Sequence, residues 1–193
     1  MKISMFLLTL VACIGVAFFL STPTRSEPLV ATNANNGDLI AGYKKWTRVN
    51  AEPKNIPSKL SILCSRPTLE RTELEAKSPH LDKFVVVYVN DIGRDSMTEV
   101  KYPKFPQGSI IVKEKLATKD SRNPELLTVM RKREPGYNPE SGDWEYMVFD
   151  GPGQVMQASG KLENCQACHR ENKETDYVSR EYIPYAVWEK MRQ

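Results

Sequence analysis

The chain lacks a strong charge imbalance and a biased composition, and these absences exclude several classes of protein. Its 193 residues are 40% hydrophobic and 26% charged, with a formal net charge of +3. Those fractions lie close to the globular average, so they exclude a disordered chain, a collagen and a polytopic membrane protein. Repeats and low-complexity segments are also absent. The small net charge gives no support for nucleic acid as a partner or for an anionic membrane surface.

Long apolar runs are scarce, and the one that is present lies at the N-terminus. Residues 3–20 are mostly apolar and follow Lys2, which is typical of an export segment that takes no part in the fold. Thr24-Arg25-Ser26, ahead of Glu27, is a tolerable site for signal cleavage and favours a cleaved signal. An N-terminal membrane anchor and a lipoprotein processed at Cys13 are the alternatives. Each interpretation places the body of the protein outside the cytoplasm, which in a bacterium means the periplasm.

The remaining sequence predicts one domain. We expect an export segment or anchor over residues 1–26, a polar and aperiodic linker over 27–38, and a single domain over 39–193. This length is enough for one hydrophobic core and too short for two comfortable ones.

The body of the chain shows strand patterns followed by helices. Apolar segments rich in β-branched residues predict strands at 84–90, 109–116, 126–132 and 144–149. Their hairpin-like spacing favours a largely antiparallel sheet. Asp38 is a fair N-cap for a helix whose stripe of Leu39, Tyr43 and Trp46 packs on the core. Further helices are expected near residue 168 and over 184–191, so the fold class is α+β, a mainly antiparallel sheet with flanking helices.

Cysteine and histidine are few, and half of them fall in one C-terminal motif. Two of the four cysteines belong to the string Cys165-Gln166-Ala167-Cys168-His169. A C-x-x-C-H string is typical of c-type haem attachment, because two thiols add to the two vinyl groups of one porphyrin. The adjacent imidazole then becomes the proximal iron ligand. The sequence therefore predicts one covalent haem c on Cys165 and Cys168, with His169 bound to the iron.

Other interpretations of this motif stay open. A thioredoxin-like pair normally follows a first strand, whereas this one lies near the C-terminus. A zinc site would have to recruit Cys64 and His80 from far along the chain. A disulfide between Cys165 and Cys168 is the remaining alternative. Cys64 itself is expected to be a buried thiol or an intermolecular bridge.

With the haem motif last, the chain resembles the cytochrome P-460 family. The matching pieces are Tyr43-Lys44-Lys45-Trp46, Val87-Tyr88-Val89-Asn90, the run from Phe105 to Glu114, Gly142-Asp143-Trp144, and the C-x-x-C-H string with Asp176-Tyr177-Val178 behind it. They span residues 40 to 185. The resemblance implies a small β-rich domain with one c-type haem, often a homodimer, whose haem face opposite His169 is open to small ligands.

The family contains two groups, and Lys113 bears on the choice between them. In one group a lysine of the strand that matches Ile110 to Glu114 is joined covalently to the haem edge, and the protein oxidises hydroxylamine. Lys113 falls at that cross-link position. In the other group, the cytochromes c-prime-beta, no such bond forms and the protein binds nitric oxide or related gases. The catalytic members need a carboxylate over the open face, and no motif here supplies one.

Without the resemblance, several of these residues have simpler interpretations. Lys113, beside Glu114 and Lys115, is then a solvated charge, and the run Arg131 to Arg133 is a solvated strand end. Phe84 and Tyr88 share a strand face, so they line the pocket or, more simply, pack in the core.

Candidate axial ligands besides His169 are few. His80 is the only other histidine, and it is a distal hydrogen-bond donor or proton carrier, a sixth iron ligand, or a surface residue. Met130 and Met147 are further axial candidates, although apolar neighbours favour core positions for both. A sixth ligand would block substrate binding and favour electron transfer.

Taken together, the sequence predicts an exported c-type haem protein that acts on a small nitrogen ligand or substrate, with hydroxylamine oxidation first. An electron-transfer partner protein would then receive the electrons. A gas-binding haem protein and a plain electron-transfer cytochrome are the alternatives.

Overall fold

One antiparallel sheet forms the centre of the structure, a computed structural model that describes residues 36–56 and 83–191. In these residues the strands are β1 (Thr47–Arg48), β2 (Lys54–Ile56), β3 (Lys83–Val89), β4 (Ile110–Leu116), β5 (Leu126–Lys132), β6 (Trp144–Asp150) and β7 (Met156–Gly160). Their order across the sheet is β1-β3-β4-β5-β6-β7, and β2 also pairs with β3. Every pair is antiparallel. The expected α+β class with a mainly antiparallel sheet is confirmed.

Short helices flank this sheet. The described residues form α1 (Arg94–Thr98), α2 (Glu163–His169) and α3 (Tyr185–Met191), together with single 3₁₀ turns at Asn36–Ile40, Tyr43–Lys45, Pro139–Ser141 and Arg170–Thr175. Within the two described stretches, no helix has the length and apolar character needed to cross a bilayer. All the described residues belong to one unit of the chain, residues 33–193.

The register of the sheet is set partly by Asn90 at the end of β3. Its side-chain oxygen accepts a hydrogen bond from the backbone N–H of Ile110, and its amide donates to the Gly108 carbonyl. These bonds end β3 and fix where β4 begins. As a result Lys113 lies mid-strand, between Val87 of β3 and Thr128 of β5.

Alternation along the strands gives the sheet two buried faces. One face, here called the haem-motif face, packs against α2, α3 and residues 177–183 through side chains such as Val87, Ile111 and Tyr146. The opposite face, here called the N-terminal face, is covered by the 3₁₀ turns at 36–45. Its buried residues are Ile40, Tyr43, Val86, Tyr88, Ile110, Val112, Leu116, Leu127, Val129, Met147 and Phe149.

The helix expected from Asp38 onwards is replaced by two 3₁₀ turns. Gly42, with a φ of 71°, separates them in a left-handed conformation that an α-helix does not contain. The packing part of the prediction holds, since Tyr43 is buried and the half-buried Leu39 and Trp46 contact the N-terminal face.

Strands β1, β2 and β7 and helix α1 are absent from the sequence-based expectation. β7 is rich in small and polar residues and lies at the edge of the sheet, next to a register shift at Val148 and Phe149. Helix α1 spans five residues, too few for a periodic pattern to show. The export segment, Cys13, Cys64 and His80 lie outside the described residues.

Candidate functional site

Helix α2 carries the whole C-x-x-C-H motif. Cys165 and Cys168 are three positions apart, so they occupy neighbouring positions on one side of the helix. Both are half-buried thiols in the structure, not a disulfide. His169 is the last residue of the helix and is 9% exposed. Helix α2 thus brings the three residues of the motif together beside the haem-motif face.

The side chain of Gln166, inside the motif, anchors this helix. Its carbonyl oxygen accepts hydrogen bonds from the amide of Asn138 at 3.0 Å and the hydroxyl of Ser141 at 2.8 Å. Its own amide donates to the backbone oxygen of Lys161. The motif helix is therefore tied to the connection between β5 and β6. Sequence reasoning missed Gln166 because the motif leaves that position unspecified.

His169 is held by a short hydrogen bond. Its Nδ1–H donates to the backbone oxygen of Tyr177 over 2.6 Å. A partner on Nδ1 makes Nε2 the ligand nitrogen and fixes the orientation of the ring, as in many metal-bound histidines. The ring centroid of Tyr146 lies 5.2 Å from that of His169. The imidazole is therefore oriented by its surroundings.

The acceptor for His169 belongs to a strained pair of residues. Asp176 and Tyr177 have φ values of 55° and 65°, in the left-handed region that non-glycine residues seldom occupy. The Asp176 carboxylate, 2% exposed, accepts hydrogen bonds from Lys132 Nζ at 2.6 Å and from the backbone N–H of Phe105 at 2.8 Å. The indole of Trp144 donates to the Asp176 backbone oxygen at 2.7 Å. We call Asp176 and Tyr177 the 176–177 turn, and these contacts hold it in place.

The expectation of a solvated strand end at Arg131 to Arg133 is therefore wrong for Lys132 and Arg133. The side chain of Lys132 is 13% exposed, and its ammonium also lies 5.1 Å from the Trp144 ring centroid. Arg133 pairs with Glu145 over 2.9 Å. Each of these two side chains has a carboxylate partner, Asp176 for Lys132 and Glu145 for Arg133. A local sequence pattern does not reveal such partners.

A cavity lies beside His169 on the haem-motif face. Its polar lining consists of Lys113, Thr128, Tyr146, Ser179 and Tyr182, and Cys165 and His169 border it as well. Its enclosed space is about 20 Å³, room for about one water molecule, and it opens to solvent at its mouth. The structure thus brings Lys113 and the C-x-x-C-H motif to one cavity.

Lys113 is buried, contrary to the interpretation as a solvated charge. It is 9% exposed, and its ammonium lies 4.9 Å from the ring centroid of Tyr182. Such a position over an aromatic face stabilises a cation away from water. Lys113 is buried because of the register of β4, whose odd-numbered residues lie on the haem-motif face, against residues 177–183.

Lys115 shares this face and lies deeper, at 1% exposure. Burial, with repulsion from Lys113 as a smaller cause, lowers its pKa well below the usual 10.5, and Cys165 opposes the shift. Burial also raises the pKa of the Cys165 thiol to about 11, with Cys168 adding to the rise. A thiol with so high a pKa is protonated at neutral pH, unlike the reactive thiolate of a thioredoxin-like pair.

The structure places the remaining candidates elsewhere or leaves them untested. Phe84 and Tyr88 pack on the N-terminal face, so they do not line the cavity. Met130 packs on the haem-motif face and lines the cavity. Met147 borders the cavity too, but its side chain belongs to the N-terminal face. Within residues 36–56 and 83–191, no three His, Cys, Asp or Glu side chains come together as a metal site. His80 and Cys64 lie outside these residues.

Comparison with known proteins gives one family. The family model described as Cytochrome P460 matches residues 40–180, which include all the strands and helix α2. No curated protein matches the chain. The family implies a haem cofactor.

The residues around the cavity fit such a group. Two thiols and an imidazole with its Nδ1 engaged are the donor set that a c-type haem requires. The Tyr146 hydroxyl is buried at the cavity and has no hydrogen-bond partner among the described residues. Buried hydroxyls are rarely left without a partner. A polar group bound in the cavity would give the Tyr146 hydroxyl its hydrogen-bond partner.

Proposed function

Because the chain belongs to the cytochrome P460 family, we propose that it carries one haem, joined by thioether bonds to Cys165 and Cys168. Nε2 of His169 is the axial ligand. The observation that carries the proposal is the hydrogen bond from His169 Nδ1 to Tyr177, at a cavity that Cys165 also borders. When bound, the haem supplies one-electron redox chemistry at the iron.

The protein then supplies attachment, orientation and a partly apolar environment. Helix α2, anchored through Gln166, holds both thiols, and the 176–177 turn holds the imidazole. Apolar residues of the haem-motif face, among them Ile111 and Met130, line part of the cavity. Tyr146 offers a hydroxyl as a hydrogen-bond donor. These are the tasks that a protein performs around a redox cofactor.

The substrate class we propose is small nitrogen compounds, with oxidation of hydroxylamine as the activity. Lys113 supports this choice, because its buried amine lies at the same cavity as the haem motif. The electrons would pass to a partner protein. The N-terminal apolar segment supports export to the periplasm, where haem attachment takes place.

Reversible binding of nitric oxide is the second candidate function. It is favoured by the described lining of the cavity, which contains a lysine, a histidine and several hydroxyls but no carboxylate. Hydroxylamine oxidation requires groups that remove protons, whereas gas binding requires only an open coordination position.

The experiment is expression in a bacterial periplasm with haem-maturation factors. The denatured protein should retain the mass of one haem, and Cys165→Ala and Cys168→Ala should each reduce covalent attachment. A reduced Soret band far to the red of ordinary c-type haem, with turnover of hydroxylamine, supports the enzyme. An ordinary high-spin spectrum with nitric oxide binding supports the second candidate. Full covalent haem in Cys165→Ala would contradict the proposal, and a low-spin spectrum would favour a plain electron carrier.

A further inference from the structure

We propose that Asp176 is a positioning residue, which holds the 176–177 turn so that the Tyr177 carbonyl fixes the imidazole of His169 as an iron ligand. The inference rests on the proposed function, since it takes His169 as that ligand. Asp176 acts through Tyr177, the next residue along the chain, whose carbonyl accepts the hydrogen bond from His169.

The backbone conformation of the turn needs an external hold. Two successive non-glycine residues in the left-handed region persist only where the surroundings over-determine them. The Asp176 carboxylate supplies that hold, because it bonds Lys132 of β5 and the backbone N–H of Phe105. The Trp144 indole, on β6, fixes the carbonyl of the same residue. The turn is thus fastened to two strands and to the segment before β4.

The position of the turn matters because of what its next carbonyl does. The Tyr177 oxygen accepts the hydrogen bond from Nδ1 of His169, over 2.6 Å. A strong acceptor on Nδ1 gives the imidazole more anionic character, which strengthens its bond to the metal and favours the ferric state. Releasing the turn should therefore weaken the iron–histidine bond and raise the reduction potential.

The test uses the haem-loaded protein and two readouts besides activity. These are the iron–histidine stretching band of the ferrous form in resonance Raman spectra and the reduction potential. Asp176→Asn keeps an acceptor for the Phe105 N–H and tolerates the left-handed backbone, so its effect should be intermediate. Asp176→Ala should lower the stretching frequency further and shift the ferric–ferrous equilibrium about tenfold, equivalent to about 59 mV for one electron.

Lys132→Met distinguishes the effect of a displaced turn on the reduction potential from the effect of a changed charge near the haem. Loss of a positive charge near the haem would by itself lower the potential, whereas a loosened turn raises it. We expect a higher potential and a lower stretching frequency in Lys132→Met. This variant also keeps the test available if Asp176→Ala fails to fold.

Glu145→Gln is the matched control, because it removes a carboxylate whose described hydrogen-bond partner is Arg133 and not a residue of the 176–177 turn. It should leave both readouts unchanged. Wild-type values in both Asp176 variants, or an equal shift in the control, would overturn the inference while leaving the haem assignment intact. A wild-type protein without covalent haem would overturn the proposed function and this inference with it.

Discussion

Lys113 and Lys115 point to the same face of β4, and the structure buries both side chains. Of the two, only Lys113 borders the cavity beside His169. Lys115 lies deeper, and its charge interacts with the Cys165 side chain. Two lysines on one strand face, two positions apart, give a matched pair. A role that depends on the cavity should belong to the first lysine alone.

The first prediction uses this pair. Lys113→Met should abolish a red-shifted haem spectrum and hydroxylamine turnover, because it removes the amine at the cavity while keeping an apolar stem of similar length. Lys115→Met should retain both. The measurement is the absorption spectrum of the reduced, haem-loaded proteins. An unchanged spectrum in Lys113→Met would exclude a bond between this lysine and the haem, and loss of the red shift in Lys115→Met instead would assign the bond to the deeper residue.

The second prediction concerns pH and Lys115. Because burial lowers its folded-state pKa well below 10.5, the unfolded chain binds more protons than the folded one between the two values. Stability therefore rises with pH in that window, by up to about 1.4 kcal/mol per pH unit. Above 10.5 both states are neutral and the rise ends. Lys115→Met lacks this contribution, so the free energy of unfolding of the wild type should rise relative to that of the variant between pH 7 and 10.

Urea unfolding of both proteins at several pH values measures the difference. Lys119→Met, at an exposed lysine, is the control and should follow the wild type. Parallel pH curves for the wild type and Lys115→Met would show that the buried amine keeps its proton on folding.

Much of the sheet was predictable because its central strands carry strong local signals. The apolar run at β3 and the pattern over β4 and β5 need no tertiary information, and the strand bounds agree within a residue. β7 and the turns at 36–45 were not predictable in the same way. Their conformations depend on pairing with β6 and on packing over a sheet whose faces the local sequence does not specify.

The site divides along the same line. The C-x-x-C-H string is recognisable from its spacing alone, whereas the burial of Lys113 follows from the register of three strands, β3, β4 and β5. Asp176 was visible only as part of a family resemblance, without a role. Its partners Lys132, Phe105 and Trp144 come from three separate segments. Only the folded chain brings those groups together.

The third prediction concerns the N-terminal face. The Tyr43 hydroxyl donates a hydrogen bond of 2.7 Å to Glu114, a carboxylate that is 5% exposed. Tyr43→Phe leaves this buried carboxylate with Lys44, 3.7 Å away, as its remaining described partner. We expect a loss of about 1 to 3 kcal/mol in the free energy of unfolding. Denaturant titration measures it.

Tyr185→Phe is the matched control for that prediction. Its hydroxyl also bonds a glutamate, Glu189, but at an exposed position. Surface contacts of this kind contribute little, so the change should stay within about 0.5 kcal/mol. Equal losses in the two variants would contradict the importance assigned to the buried pair.

The last prediction concerns Gly142, which packs against the residue that orients His169. A Cβ at this position would lie 2.5 Å from Cδ2 of Tyr177 and 3.1 Å from an Asp176 carboxylate oxygen. Real side chains do not approach so closely, so Gly142→Ala must displace the Tyr177 ring and with it the 176–177 turn. Overpacking of this kind costs about 1 to 3 kcal/mol in the free energy of unfolding. The reduction potential of the haem-loaded protein should rise as well, because the hydrogen bond to His169 is disturbed.

Gly136→Ala distinguishes this effect from backbone strain. Gly136 also has a positive φ, of 91°, but no atom lies within 4 Å of a Cβ built there. An alanine at either position bears the strain of a left-handed conformation, about 1 to 2 kcal/mol. Only the alanine at position 142 reaches Tyr177, so only that variant should shift the potential. A shift of equal size in Gly136→Ala would attribute the change to general loosening, and no shift in Gly142→Ala would mean that the Tyr177 carbonyl keeps its place when the ring is displaced.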